Sequence, residues 1–257
     1  MDPILISIGP FALSWHGLFV VAAIVVGVWL PARLTARAGL PVETLHSMAI
    51  WAIPGGVIGA RLVHVIDYWD YYLANHGAIL TIWEGGLALW GAILGGTLAA
   101  VIFAKIKDFP IAGYADLIGI TLILSQAIGR IGDVINGEHI SKSTSLPWGV
   151  VYTHPYSPSY GLPPSHLAVG YELIMDLVIF GLLWKLRSRV RPDGALFLLY
   201  LIVYSTGRFF LSFLRLDSNT VLLGLNQPQW LSLIVLSVAS TLMIIQQIPY
   251  HKRKTPR

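Results

Sequence analysis

Four strongly polar residues fall within nine positions at the end of an apolar stretch, in the segment AIGRIGDVINGE at residues 127–138. They are Arg130, Asp133, Asn136 and Glu138. Arginine presents a fixed fork of N–H donors that suits a phosphate, and it stays charged where lysine can neutralise. Arg130 and Asp133 are three residues apart and share one face of a helix. The residue types therefore favour a site for a phosphate-bearing ligand.

A second set of polar residues lies on another predicted helix. Tyr204, Arg208, Ser212 and Arg215 stand at i, i+4, i+8 and i+11, which predicts one continuous face. Two arginine-bearing faces can then meet at one depth in a membrane. The natural partner for such a pair is a lipid headgroup phosphate drawn in from the outer leaflet.

Structural ion pairs are the alternative explanation for these charges. Charged side chains inside membrane spans cost a few kcal/mol each on insertion scales, so they normally pair or face a watery cavity. Arg130 can pair with Glu138 or Asp133, and Arg208 can pair with Glu172. The sequence leaves both explanations open.

The composition indicates the kind of element that must position these residues. The chain has 257 residues, of which 55% are hydrophobic and only 12% charged, about half the charge of a soluble domain. Windows of roughly 17 to 22 apolar residues can cross a membrane as helices. We expect an all-α polytopic membrane protein with about seven such spans. Their centres lie near Val21, Val57, Gly95, Leu122, Val178, Tyr200 and Val238.

The lysines and arginines predict the orientation of these spans. Twelve of the 17 basic residues follow spans one, three, five and seven, and positive charge near span ends stays on the cytoplasmic side. This predicts the N-terminus outside and the C-terminus in the cytoplasm, with a loop of about 30 residues on the outer side between spans four and five. The net charge of +4 then serves the anionic membrane surface, and a nucleic-acid partner has little support.

No linker divides the chain, so we expect one integral membrane domain over residues 1–257. The first span lacks the basic upstream region of a cleaved signal. The outer loop is expected to hold one short strand around WGVVY. The small-residue runs PGGVIGA and WGAILGG predict close helix packing. Cysteine is absent, and no histidine pair has a spacing that suggests a metal site.

At GRIGDVINGEHIS the chain resembles the prolipoprotein diacylglyceryl transferases, whose usual signature is GRxGNFxNGExxG. Further similarity runs along most of the chain, in SIGPFALSWHGL, GARL, WEGGLALWGAILGG, HLAVGYE, YSTGRFFLSFLR and NQPQWLSL. The resemblance implies a multi-pass enzyme of the bacterial inner membrane that needs no cofactor. It implies transfer of a diacylglyceryl group from phosphatidylglycerol to the lipobox cysteine of a prolipoprotein signal peptide, with membrane lipids as further partners.

The resemblance also implies roles for single residues. Arg130, Arg208 and Glu138 match family positions and are expected to be catalytic. His16, at a position where the family has a tyrosine, is added to the expected catalytic set as a hypothesis. The expected phosphatidylglycerol-binding set is Arg130, Asn136, Arg208, Tyr204, Arg215 and Asp133. Arg61, Glu172 and Trp90 are expected to support the site, and Tyr171 also falls on a family-like position. No metal ligand is implied.

The chain departs from the usual family pattern at five positions. It has Trp90 for a histidine, His16 for a tyrosine, Asp133 for an asparagine, Ser212 for a glutamate and Ser141 for a glycine. An indole offers only a donor, so Trp90 cannot take a proton.

One hypothesis gives the role of base to His16. In the other, His16 packs and hydrogen-bonds while the arginines do most of the work. The departures also leave open a catalytically impaired or repurposed member that binds lipid or lipoprotein, or that uses a different acceptor.

Overall fold

The computed structural model describes residues 2–8, 11–81, 86, 88–216 and 220–254. Helices dominate these residues, as expected. The α-helices are α1 (Trp15–Arg37), α2 (Val42–Asp67), α3 (Trp69–Ala74), α4 (Leu89–Lys107), α5 (Ile111–Asn136), α6 (Ala168–Leu186), α7 (Ala195–Leu211) and α8 (Gln227–Lys254).

Among the described residues, five helices are long and apolar enough to cross a membrane. They cover residues Trp15–Arg37, Val42–Asp67, Ile111–Asn136, Ala195–Leu214 and Gln227–Gln246. The spans predicted near Gly95 and Val178 fall in α4 and α6, which are outside this set. In α6, charged residues interrupt the apolar sequence at Glu172, Asp176 and Lys185. The chain is a mostly helical polytopic membrane protein, and the count of seven spans stays a prediction.

The expectation of an all-α chain misses two small antiparallel strand pairs. Strands β1 (Ile4–Ile8) and β2 (Phe11–Ser14) form one pair, and β3 (Thr220–Leu222) and β4 (Leu225–Asn226) form the other. Strands of two to five residues are too short for an alternating pattern to stand out in sequence. Both pairs flank long helices, since β2 leads directly into α1 and β4 into α8.

The chain divides into two compact units, residues 1–33 with 115–257 and residues 34–114. In the second unit, α2 and α4 pack through glycines, which confirms the expectation from PGGVIGA and WGAILGG. A Cβ added to Gly59 would lie 2.9 Å from the Cα of Gly95, so only glycine allows this approach. The expectation of one integral membrane domain stays a prediction.

In the first unit, polar side chains define where the helices start. The Ser14 hydroxyl accepts the Gly17 amide at 3.0 Å at the start of α1. Asp116, near the start of α5, accepts hydrogen bonds from the backbone amides of Gly194 and Phe197 at 2.8 Å each. Its charge therefore faces the positive end of the α7 dipole. At the start of α8, the backbone amide of Asn226 donates to Gln229 Oε1, and the backbone amide of Gln229 donates to Asn226 Oδ1, which forms a reciprocal cap.

The loop between α5 and α6 is fastened to the end of α5 by three hydroxyl groups. Tyr152 donates to the Val134 carbonyl at 2.6 Å, and the Ser157 and Ser159 hydroxyls donate to the carbonyls of Asn136 and Gly137 at 2.8 and 2.7 Å. These are carbonyls that a helix end leaves without intrahelical partners. The short strand expected around WGVVY does not form as a continuous strand. Only isolated bridges at Val150 and Tyr152 are present there, because this loop packs along the end of α5 and not beside a second strand.

Candidate active site

The centre of the candidate site is the carboxylate of Glu172, a residue of α6 that is only 1% exposed. Arg208 donates to its Oε1 atom, and Arg215 Nη1 donates to the same atom at 3.2 Å. Arg130 Nη2 lies 2.9 Å from the other oxygen, Oε2. Three guanidiniums from different parts of the chain therefore meet one buried carboxylate.

A second carboxylate, Asp133, extends this cluster toward α1. Arg130 Nη1 donates to Asp133 Oδ2 at 3.0 Å. Asp133 Oδ1 lies 2.9 Å from His16 Nδ1, a close contact that is not aligned as a hydrogen bond. His16, Asp133, Arg130 and Glu172 thus form a continuous line of contacts.

Two of the ion pairs that the sequence offered as an alternative are present. Arg130 pairs with Asp133, and Arg208 pairs with Glu172. The third candidate pair, Arg130 with Glu138, does not form among the described residues. Glu138 instead accepts the side-chain amide of Asn136 at 3.2 Å.

Close packing of α1 against α5 brings His16 to Asp133. A Cβ added to Gly132 would lie 2.8 Å from the Cα of His16, so a larger residue at position 132 would push the two helices apart. Arg130 and Asp133 stand one turn apart near the end of α5. The glycine between them therefore sets the distance from the histidine to the carboxylate.

Arg215 reaches the cluster by a route that the sequence did not predict. The prediction of one continuous helical face over positions 204–215 is wrong. Helix α7 ends at Leu211, and a 3₁₀ turn covers Ser212–Leu214. Arg215 has extended backbone angles and bridges to Ser141. Its Nη2 atom lies 2.6 Å from His139 Nδ1. His139 was missed, and its only signal is its place directly after Glu138.

The turn that follows α5 holds Asn136 and Glu138 in place. Gly137 has a φ of +73°, a left-handed conformation that glycine adopts without strain. The Asn136 Oδ1 atom is buried and has no hydrogen-bond partner in the described part of the chain. Tyr204 lies within hydrogen-bonding reach of Arg130. Asn136 and Tyr204 therefore offer polar atoms at the edge of the arginine cluster.

A cavity of about 220 Å³ opens beside Arg215. Its polar lining includes Lys142, Ser212, Asn226 and Gln229. Ser212, where the usual family pattern has a glutamate, donates its hydroxyl to the Arg208 carbonyl at 2.7 Å. The cavity is smaller than a typical drug-sized pocket of roughly 300 Å³ or more, and its size suits a small polar group.

Two of the predicted supporting residues belong to the other unit, residues 34–114. Arg61 donates from Nε to the Ile79 carbonyl at 2.8 Å, from Nη1 to the Gly86 carbonyl at 2.9 Å, and from Nη2 to the Ala78 carbonyl. Its guanidinium also lies 5.2 Å from the centre of the Tyr72 ring. The side chain of Trp90 lies outside the described residues.

The arginine cluster is held together by direct contacts between opposite charges. Three guanidiniums, of Arg130, Arg208 and Arg215, contact the carboxylates of Glu172 and Asp133. A third acid, Asp176, is buried one turn along α6 and acts on Arg130 over a longer distance. The contacts hold the guanidiniums in fixed positions, which is the condition for stabilising a charge that develops during a reaction.

Comparison of this sequence with known proteins identifies its family. The family model described as prolipoprotein diacylglyceryl transferase matches residues 3–245. The chain belongs to the prolipoprotein diacylglyceryl transferase family. A phosphatidylglycerol–prolipoprotein diacylglyceryl transferase of Trichormus variabilis is 40% identical over 229 residues, covering 84% of this chain and 79% of its own.

Two further members of the family are similar over most of their length. The transferase of the same description from Symbiobacterium thermophilum is 38% identical, with 86% of this chain and 84% of its own covered. The one from Dehalococcoides mccartyi is 35% identical, with 96% and 94% covered. Within the prolipoprotein diacylglyceryl transferase pattern, two departures of this chain, His16 and Asp133, contact each other directly.

Proposed function

We propose that this chain transfers the diacylglyceryl group of phosphatidylglycerol to the thiol of a prolipoprotein cysteine. The observation that carries this proposal is the convergence of Arg130, Arg208 and Arg215 on Glu172. Such a cluster gathers three forks of N–H donors in one place among apolar helices, which suits a phosphate. Membership of the transferase family supplies the reaction.

The chemistry of this transfer needs the kind of site that the arginines form. A thiolate attacks the glycerol carbon next to the phosphate, the new C–S bond forms, and the C–O bond to the phosphate breaks. The phosphodiester with one negative charge becomes a glycerol phosphate with two. Fixed guanidiniums beside the departing oxygen stabilise the added charge more than the ground state, which lowers the barrier.

The proposed roles follow from position in the cluster. Arg130 and Arg208 hold the phosphate and act in catalysis, and Arg215, Asn136, Tyr204 and Asp133 complete the phosphatidylglycerol site. Glu138 contributes to catalysis through its carboxylate, which accepts the side-chain amide of Asn136 and holds it in place. Glu172 anchors the three guanidiniums, and we assign Arg61 and Trp90 supporting roles within their own unit, residues 34–114. The cavity beside Arg215 receives the glycerol headgroup.

The proposed setting is the inner membrane of a bacterium. The chain would cross it seven times, with the N-terminus outside, so that the cluster opens to the outer leaflet, where the lipobox cysteine of the signal peptide arrives. The substrate supplies the nucleophile, and the reaction calls for no cofactor or metal. Residues 1–257 would act as one integral membrane domain.

Lipidation in a bacterium depleted of its own transferase tests this function. We expect the chain to lipidate a reporter prolipoprotein, and Arg208→Ala to lower the rate by about a hundredfold or more. Arg191→Ala is the matched control, since Arg191 pairs with Asp193 at an exposed site. Inserted chain without lipidation would support the alternative of a lipid-binding member, and normal turnover by Arg208→Ala would overturn the phosphate site.

A further inference from the structure

The proposed transfer needs a group that takes the proton from the acceptor thiol. A free cysteine thiol has a pKa of about 8.5, and only its thiolate is a strong nucleophile. Most acidic groups of the cluster are committed elsewhere. Glu172 is held by three guanidiniums, and Glu138 is bonded to Asn136. Of the two histidines that contact the cluster among the described residues, His139 has its Nδ1 atom 2.6 Å from Arg215 Nη2, whereas His16 lies beside a carboxylate, the setting in which an imidazole serves as a base.

We propose that His16 is the base that deprotonates the acceptor thiol, and that Asp133 is the residue that positions it. This inference rests on the proposed function. His16 Nδ1 lies 2.9 Å from Asp133 Oδ1, so that a rotation of the ring would align a hydrogen bond between them. A carboxylate on one ring nitrogen keeps a proton there, so that the opposite nitrogen, Nε2, is the acceptor. The nucleophile comes from the substrate, so the pair needs no cysteine or serine of its own.

The side-chain exposure of His16 and Asp133 fits their proposed roles as base and positioning residue. The His16 side chain is 41% exposed, whereas the Asp133 side chain is 11% exposed. The imidazole can therefore reach an incoming thiol, while the carboxylate stays inside the protein. A histidine that served only to pack α1 against α5 would not need this exposed ring.

Asp133 also joins the base to the phosphate-binding residues. Its second oxygen accepts Arg130 Nη1 at 3.0 Å, and Arg130 in turn contacts Glu172. These contacts fix the distance between the base and the guanidinium that faces the phosphate. The charged groups that the described structure brings to His16 are thus Asp133 in direct contact and Arg130 behind it.

The proton balance of the step is complete. The S–H bond breaks and its proton moves to His16 Nε2, and the resulting imidazolium is stabilised by Asp133. The sulfur electron pair forms the C–S bond, and the electrons of the breaking C–O bond leave on the phosphate oxygen. The imidazolium then returns its proton to water or to the released glycerol phosphate.

The test measures transfer by the full chain in vesicles of phosphatidylglycerol, with a lipobox-cysteine peptide as acceptor, from pH 6 to 9.5. His16→Gln should lower kcat by about a hundredfold or more at pH 7 and leave KM for the lipid within about twofold. The defect should shrink at pH 9.5, because the thiol then ionises without help. His154→Gln is the control, since His154 is also paired with an aspartate, Asp2, at 3.6 Å.

Asp133→Asn tests the positioning residue. The amide keeps an oxygen for Arg130 but presents an N–H group to His16, which favours the wrong ring tautomer. We expect kcat at pH 7 to fall by at least about tenfold, with partial recovery at high pH. Thermal melting of both variants shows whether they fold.

Three results would overturn the inference. One is near-normal kcat in folded His16→Gln, and another is a defect of the same size at every pH. If the unaltered chain transfers nothing to any peptide, the proposed function fails and takes this inference with it. Activity of the unaltered chain together with a normal His16→Gln variant removes the inference alone.

Discussion

Arg61 and Arg130 are both arginines within long apolar helices, and the protein holds their charges by different means. Arg61 donates to three backbone carbonyls and lies over the Tyr72 ring. Arg130 contacts two carboxylates, Asp133 and Glu172. Carbonyls fix a guanidinium by geometry, with only partial charges, whereas carboxylates also bind it through full charge.

The difference separates two uses of a buried arginine. The carbonyls that bind Arg61 belong to the segment after α3, so the side chain clamps that segment to α2. Arg130 shares Glu172 with Arg208 and Arg215, so its contacts gather like charges into one place. The first arrangement stabilises a fold, and the second is the arrangement that the proposed phosphate site requires.

Removing the shared anchor should have the largest effect. Glu172→Gln keeps the shape of the side chain but leaves three guanidiniums facing each other around a neutral amide. We expect the free energy of unfolding to fall by about 3–5 kcal/mol, measured by thermal unfolding in detergent. Glu138→Gln is the control, because Glu138 is partly exposed and bonds to Asn136, and it should change stability by less than about 1 kcal/mol. Equal melting temperatures would show that Glu172 is no anchor.

Arg130→Lys tests whether geometry matters beyond charge. Lysine keeps the charge but is a point donor, and it cannot divide a planar fork between Asp133 and Glu172. The rate of transfer should fall by about tenfold or more, with the protein still folded. Arg189→Lys, at an exposed position beyond α6, should be neutral. An Arg130→Lys variant with full activity would remove the distinction between the two arginine sites.

Arg61→Lys tests the other side of the comparison. The substitution loses directional bonds to carbonyls, which should lower the free energy of unfolding by about 1–3 kcal/mol. Transfer per folded molecule should stay within a few-fold of the unaltered chain. Melting curves give the first quantity, and rates normalised to folded protein give the second. A loss per folded molecule as large as that of Arg130→Lys would place Arg61 in the chemistry.

Tyr152→Phe should give the smallest effect and tests a hydroxyl that satisfies a carbonyl of α5. Loss of the bond to the Val134 carbonyl should cost about 1 kcal/mol. Burial raises the pKa of the Tyr152 phenol. Its contribution to stability is therefore complete below the ordinary phenol pKa of about 10 and is lost as pH rises through the higher folded value.

Comparison of melting at pH 8 and pH 11 checks this pH dependence. The difference between the unaltered chain and Tyr152→Phe should narrow at pH 11. Tyr156→Phe is the control, since Tyr156 is 72% exposed. A difference that stays constant with pH would show that the phenol proton has no part in stability.

Two kinds of contact could be predicted from the sequence, those set by local spacing and those required to pair a buried charge. Arg130 with Asp133 follows from their separation of three residues on a helix, and the pair of Arg208 with Glu172 follows from the need to neutralise buried charge. The glycine packing of α2 on α4 was also predictable, because small residues recur on both helices.

The other contacts of the site join residues that are distant in sequence or depend on where a helix ends, and residue spacing does not predict them. His16 and Asp133 are more than a hundred residues apart, and their contact requires α1 to pack on Gly132. Arg215 joins the cluster because the chain leaves the helix after Leu211. No periodicity predicts such an exit. The hydrogen bonds that hydroxyl groups of the loop between α5 and α6 donate to the end of α5 also follow no local sequence pattern.

The segment AIGRIGDVINGE lies at the C-terminal end of α5, and this has an electrostatic consequence. Anion sites in proteins commonly use a helix N-terminus, where the macrodipole is positive. Here the helix presents its negative end, which opposes a phosphate. The hydroxyl groups of Tyr152, Ser157 and Ser159 cover carbonyls at that end and weaken its field. The attraction for the proposed phosphate would therefore have to come from side chains, and the cluster supplies three guanidiniums where another fold would use one helix terminus.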